Sequence, residues 1–118
     1  MEIRKFEDLE VWQEAMKLSV ELHTELKSCR HFGLRDQVFR SAISIPSNIA
    51  EGFERKTNKE FIQYLYIAKG SCGELRTQLY LCQQMDLIVK ERVLDFIERT
   101  RKISAMLVRL IRTRYERF

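Results

Sequence analysis

Phe39-Arg40-Ser41-Ala42-Ile43-Ser44-Ile45-Pro46-Ser47-Asn48-Ile49-Ala50-Glu51-Gly52 decides the fold of this chain. Its proline, the only one in the sequence, stands inside a run whose apolar residues keep helical spacing on both sides. Val38, Ala42, Ile45 and Ile49 form one row, and Phe39, Ile43, Ala50 and Phe53 widen it. An interior proline removes a backbone donor and clashes with the carbonyl four residues back, at a cost of about 3 kcal/mol if nothing compensates. The pattern therefore predicts a helix from Leu34 to Phe53, continuous through Pro46 but bent, with a Ser or Asn side chain meeting the freed carbonyl near Ala42. Gly52 marks its end, and Gly33, in the loop from Ser28 before it, is free to take a positive φ.

Three further helices follow from the same periodicity. The first begins at Asp8, an N-cap residue type, and runs to Lys27 with the stripe Leu9, Trp12, Ala15 and Met16, Ser19, Leu22 and Leu26. Thr57-Asn58-Lys59-Glu60 reads as a capping box that opens the third. From there Phe61, Leu65, Ala68, Cys72, Leu75, Leu79 and Cys82 alternate four and three apart until Asp86 breaks the seam. The fourth runs from Lys90 to Arg114 with Val93, Ile97, Ser104, Leu107 and Ile111 on its stripe, flanked by Phe96, Ile103 and Leu110. Short connections make neighbouring helices antiparallel. The fold class is all-α, an antiparallel up-down four-helix bundle formed by one domain over residues 1–118.

Composition agrees. With 118 residues, 45% hydrophobic and 32% charged, the chain is long enough to bury a core without staples. One proline and four glycines are too few for a turn-rich β fold. The three cysteines, Cys29, Cys72 and Cys82, are odd in number and lack C-x-x-C spacing, which argues against a disulfide framework and a zinc site. Two of them fall on an apolar stripe, the usage expected in a reducing cytoplasm. No signal-like apolar stretch follows Met1-Glu2-Ile3-Arg4-Lys5, and no uncharged run reaches membrane-spanning length, so no membrane role is expected.

The net charge of +4 is unevenly spread. Arg99 to Phe118 holds seven cations and one anion, whereas the preceding residues hold 14 cations and 16 anions. On a helical wheel Arg101, Lys102, Arg109 and Arg112 make a cationic face opposite the Val93–Leu107–Ile111 stripe, a form suited to phosphate contact without base reading. That helix carries no Asn, Gln or stacking platform on the same face, so weak sequence preference is expected. The competing reading is a solvated helix end favoured by the helix dipole.

Three blocks carry a family resemblance: Phe6-Glu7-Asp8-Leu9-Glu10-Val11-Trp12-Gln13-Glu14-Ala15, then Arg40-Ser41-Ala42 through Ser44-Ile45-Pro46-Ser47-Asn48-Ile49-Ala50-Glu51-Gly52, then Gly70-Ser71-Cys72-Gly73-Glu74-Leu75. Together they resemble the small four-helix bundle family encoded in intervening sequences of bacterial 23S ribosomal RNA genes. Members of known structure assemble as ring-like homopentamers. A related group, the accessory proteins of diversity-generating retroelements, shares the bundle and binds nucleic acid through basic surface. The resemblance implies a non-enzymatic homo-oligomer with RNA or DNA as a plausible partner, and it carries over no catalytic residue and no cofactor.

Bottom-up chemistry points the same way. His23 and His31 have no metal-ligand or E-x-x-H spacing, and no phosphate loop exists. If the second and third helices form a hairpin about Arg55–Lys56, Arg40 falls near Glu74, and Ser41 and Ser44 fall near Gly70 and Ser71. A polar cluster of Arg40, Asn48, Glu51 and Glu74 is then expected, either as a small pocket or as an inter-helix salt bridge with hydroxyl bonds. Gly70 and Gly73 each cost about 1 kcal/mol in mid-helix, for which close helix approach is the usual compensation. Val11, Leu18 and Val20, with Tyr64, Tyr66 and Ile67, lie off the expected stripes and suggest a subunit interface, although a wide core stripe could absorb some of them. The alternative to nucleic-acid binding is a protein–protein assembly or adaptor module.

Overall fold

The computed structural model describes residues 2–118. Four helices follow one another: α1 (Glu10–Leu26), α2 (Phe32–Phe53), α3 (Asn58–Gln84) and α4 (Lys90–Arg117), preceded by a 3-10 turn, Phe6–Asp8. They pack as an antiparallel up-down bundle of 45 × 22 × 20 Å. α2 against α3 is the densest interface, α3 against α4 and α1 against α2 follow, and α1 against α4 is the sparsest. The seven-residue seam of α3 from Phe61 to Cys82 is buried throughout, as the 4-3 alternation predicts.

The helix starts differ from expectation for local reasons. Asp8 is not the cap of α1: it belongs to the 3-10 turn, where its carboxylate accepts the Arg4 N–H at 3.2 Å. Leu9 occupies the N-cap and offers no side-chain bond. α2 starts at Phe32 because His31 Nδ1 accepts the Leu34 N–H at 3.3 Å, which draws Gly33 into the helix with an ordinary negative φ. Thr57 caps α3 as predicted, accepting the Glu60 N–H at 3.2 Å. The Glu60 carboxylate reaches back to the cap, taking the Arg55 Nε–H and the Thr57 hydroxyl, each at 3.0 Å, and these bonds, with a weaker one from the Thr57 backbone, hold it below the ordinary carboxylate range.

α2 is continuous through Pro46. The carbonyl of Ala42, four residues before the proline, accepts the hydroxyl of Ser19 from α1 at 3.0 Å. The same hydroxyl lies 3.0 Å from its own Ala15 carbonyl, so one proton is shared between two acceptors. Asn48 Nδ2 donates one turn back to the Ser44 carbonyl (2.8 Å) and Ser44 Oγ (2.9 Å), and Ser44 Oγ lies 2.8 Å from Ser71 Oγ on α3. The freed carbonyl thus has its serine partner, supplied by a neighbouring helix.

Glycine placement corrects the expectation of close approach at Gly70 and Gly73. A Cβ built at either meets nothing within 4 Å. The tight contact is instead at Gly52, where a Cβ would lie 2.5 Å from Tyr64 Cβ and 3.1 Å from Phe61 Cδ1. Asp86, with φ 56°, ends α3 in the left-handed conformation, and the Leu87 N–H bonds back to the Cys82 carbonyl at 2.9 Å.

Candidate nucleic-acid interface

The cations of α4 divide into two sets. On the side facing α1, Arg99 donates to Glu21 at 2.7 Å and Arg92 to Glu25 at 3.0 Å. The hydrogen bond from Arg99, with its charge, holds the Glu21 carboxyl below its ordinary range. Arg114 is half-buried near the end of the helix, its Nε–H bonded to Asn58 Oδ1 at 2.7 Å while its plane lies over the Phe61 and Phe118 rings. Burial lowers the pKa of its guanidinium. These three arginines hold helices together.

The second set faces water. Arg101, Lys102, Arg109 and Arg112 are all exposed, as the wheel predicts. Arg101 pairs with Glu98 and donates to Tyr80 Oη at 2.7 Å. Lys102, Arg109 and Arg112 have no ion-pair partner among the described residues.

The structure also places aromatic rings on and beside this face, where no stacking platform was expected: Tyr115 lies on α4 itself, past the Arg114 at which the helix was expected to end, and Tyr66 and Tyr80 come from α3. On α3, the positions 59, 62, 66, 69, 73, 76 and 80 form one row at helical spacing: Lys, Ile, Tyr, Lys, Gly, Arg, Tyr. On α4, 101, 105, 108, 112 and 115 form the facing row: Arg, Ala, Val, Arg, Tyr. Within these spans neither row contains an acid; Glu98, the next position of the α4 row, is paired with Arg101. The Arg101–Tyr80 bond fixes one end of the seam. At the other end Tyr66 and Tyr115 line a cavity of about 470 Å³ with Lys59, Gln63 and Phe118. The sequence signal for the platform was Tyr66 and Tyr80 at 14-residue spacing, which puts both on one helix face.

The polar residues Arg40, Asn48, Glu51 and Glu74 are not brought together. Arg40 is exposed, and the expected inter-helix salt bridge to Glu74 does not form. Ser41 takes that position, donating to Glu74 Oε1 at 3.1 Å. Asn48 serves Ser44, and Glu51 accepts from Tyr64 Oη at 3.0 Å with Arg55 at 3.7 Å. These are separate inter-turn and inter-helix bonds with no shared pocket. Among the described residues no group of three or more His, Cys, Asp and Glu is placed to hold a metal ion.

A second surface lies between α1 and α2. An open apolar groove of about 560 Å³ is lined by Trp12, Met16, Val20, Ile43, Pro46 and their neighbours. Val20 is 61% and Ile43 57% exposed. Val11 and Leu18, expected at an interface, are core residues; Tyr66 and Ile67 are exposed as expected. Cys72 and Cys82 are free and buried, and burial pushes their thiols up to about 12 and about 11.

Bundle topology, the serine-compensated proline and the capped seam of α3 all lie within the stretch matched by one protein family. The model for the 23S rRNA-intervening sequence protein matches residues 7–109. The chain belongs to that family. A crystal structure of a protein with unknown function from the S23 ribosomal protein family of Bacteroides thetaiotaomicron VPI-5482 superposes with a TM-score of 0.80. It is 24% identical, over 86% of this chain and 97% of its own, which is a likeness of fold. No curated protein matches the sequence. Among the described residues no helix is long and apolar enough to cross a membrane.

Proposed function

We propose that this protein is a non-enzymatic, self-assembling bundle that binds RNA or DNA phosphates through the outer face of α4. One observation carries the reading: Lys102, Arg109 and Arg112 are exposed with no carboxylate partner, while Arg92 and Arg99 on the same helix are matched to acids of α1. Cations that stitch a fold are paired; a row left unpaired keeps its potential for an outside anion. Binding should release counterions, with log affinity falling by about 0.7–0.9 per phosphate for each decade of salt. Replacing Arg101, Lys102, Arg109 and Arg112 with glutamine should abolish low-salt RNA binding and leave the oligomer intact. If the quadruple variant binds as tightly as the parent, the cations are only a solvated surface.

The assembly reading rests on a different face. The α1–α2 groove, with exposed Met16, Val20 and Ile43, supports a protein partner, and a second copy is the occupant that the family resemblance favours. A closed ring needs two unlike patches. The row Ile67, Gly70, Glu74 and Leu81 on α3, where both hydrophobes are exposed and Gly70 leaves open space, supplies the second. A homopentamer in the cytoplasm fits the family resemblance and the unpaired buried thiols. A sedimentation mass near the 14.2 kDa of one chain at micromolar concentration defeats the assembly reading and, if RNA still binds, leaves phosphate contact standing alone.

A further inference from the structure

The α3–α4 seam holds more than charge. Tyr66 is 50% and Tyr115 64% exposed, and both open onto one cavity whose rim carries Lys59 and the amide of Gln63. Rings of this size left in water on a surface whose one acid, Glu98, is taken up by Arg101 are unusual for a merely solvated face, where long charged chains suffice. Between Tyr66 and Tyr80 the seam runs about 21 Å. At the 3.4 Å spacing of a stacked strand that is room for about six phosphates. Lys69 and Arg76 stand between the two tyrosines on α3, with Arg101 and Arg112 across the seam.

We infer that the seam takes a single strand of RNA or DNA, its phosphates tracking the cations and its bases stacking on Tyr66 and Tyr115. This deepens the phosphate-binding reading and rests on it. Aromatic rings flush with a cationic track can stack on bases only when those bases are not already stacked and paired, so a duplex cannot use the tyrosines. Stacking accepts every base because each has a π face, and Gln63 adds donor and acceptor capacity at the cavity rim without a fixed partner geometry. The seam therefore discriminates single strand from duplex more strongly than it discriminates sequence.

The test compares four fluorescein-labelled probes at 50 mM salt by anisotropy: a 12-nucleotide RNA, the same sequence as DNA, an abasic 12-unit phosphodiester, and the 12-base-pair duplex (probe length about twice the seam's capacity). The single strands should bind at least tenfold tighter than the abasic chain. Tyr66→Leu with Tyr115→Leu should weaken single-strand binding by about five- to a hundredfold and leave abasic affinity and salt slope unchanged. RNA above DNA would assign a contribution from the 2′-hydroxyl; equal affinities would place recognition in the phosphates and rings common to both. The abasic comparison uses the unaltered protein, so it stands even if the double variant folds poorly. Equal binding of abasic and base-bearing strands overturns stacking while leaving phosphate binding intact. No binding of any probe overturns both, and a double variant of lower oligomeric mass overturns the inference by making the tyrosines a subunit contact.

Discussion

One substitution, glycine to alanine, should have opposite signs at different positions of this bundle. At Gly52 the new Cβ would lie 2.5 Å from Tyr64 Cβ, an atom fixed to the α3 backbone, and 3.3 Å from the Phe61 carbonyl oxygen. Ordinary contact is about 3.5–4.0 Å, so α2 and α3 must part by roughly 1 Å at the densest interface of the molecule. Overpacking of this kind costs about 1–3 kcal/mol. Alanine recovers about 1 kcal/mol of helix propensity, leaving a net loss of about 0–2 kcal/mol. At Gly70 and Gly73 nothing lies within 4 Å, so only the propensity gain remains, about 0.4–1 kcal/mol at each. Urea unfolding followed by circular dichroism should order the variants Gly73→Ala and Gly70→Ala above the parent, and Gly52→Ala at or below it, with m unchanged. The comparison holds at a protein concentration where parent and variants all sediment as monomers, because assembly, in which the Gly70 face is proposed to take part, adds to apparent stability. A Gly52→Ala variant stabilised as much as Gly70→Ala or Gly73→Ala would refute the close-approach argument, and destabilised Gly70→Ala and Gly73→Ala monomers would show an unrecognised contact there.

Ser19→Ala should cost about 1–3 kcal/mol by leaving the Ala42 carbonyl without its partner, and should cost much less in a Pro46→Ala background, where residue 46 regains the N–H; a double-mutant cycle with no coupling would reject this pairing. Cys72 and Cys82 stay neutral in the fold when their unfolded counterparts would ionise near 9, so their contribution is present below about pH 9 and lost as pH rises toward about 12 and about 11. Stability should fall by up to about 1.4 kcal/mol per pH unit per thiol in that window, and Cys72→Ala should flatten the alkaline limb of a stability–pH curve. Asp86→Gly should stabilise by about 0.5–1 kcal/mol by relieving a left-handed non-glycine residue, read as a raised urea midpoint.

Helix identity was legible in the sequence because apolar spacing states it directly, and the buried seam of α3 is the clearest case. Facing was less legible. The hairpin register placed Arg40 beside Glu74, yet Ser41 is the residue that meets Glu74. A shift of one position turns a side chain by about 100°, enough to swing Arg40 into water. On α1 two apolar rows compete, Val11–Ala15–Leu18 and Trp12–Met16–Ser19. Spacing alone cannot say that the first lies in the core and the second borders the groove against α2. Gly33 was misread for want of His31, whose capping role depends on ring orientation. The cationic face of α4 was legible as charge. Its tyrosines were not: the expected helix stopped at Arg114, one residue short of Tyr115, and Tyr66 and Tyr80 arrive from another helix and join the face only once α3 and α4 are aligned.

The sparse α1–α4 seam bears on how the chain reaches this form. Each dense interface joins helices adjacent in sequence, so the mean loop to be closed is short and folding should be fast for a chain of this length. Only α1 against α4 brings the two ends of the chain together, and it is sparsely packed and bridged by Arg92–Glu25 and Arg99–Glu21. An α2–α3 hairpin nucleus would leave that seam to zip last, as a latch. Truncating Arg92 or Arg99 should then speed unfolding and leave the folding rate unchanged; a slowed folding limb in the chevron would place the latch inside the nucleus instead.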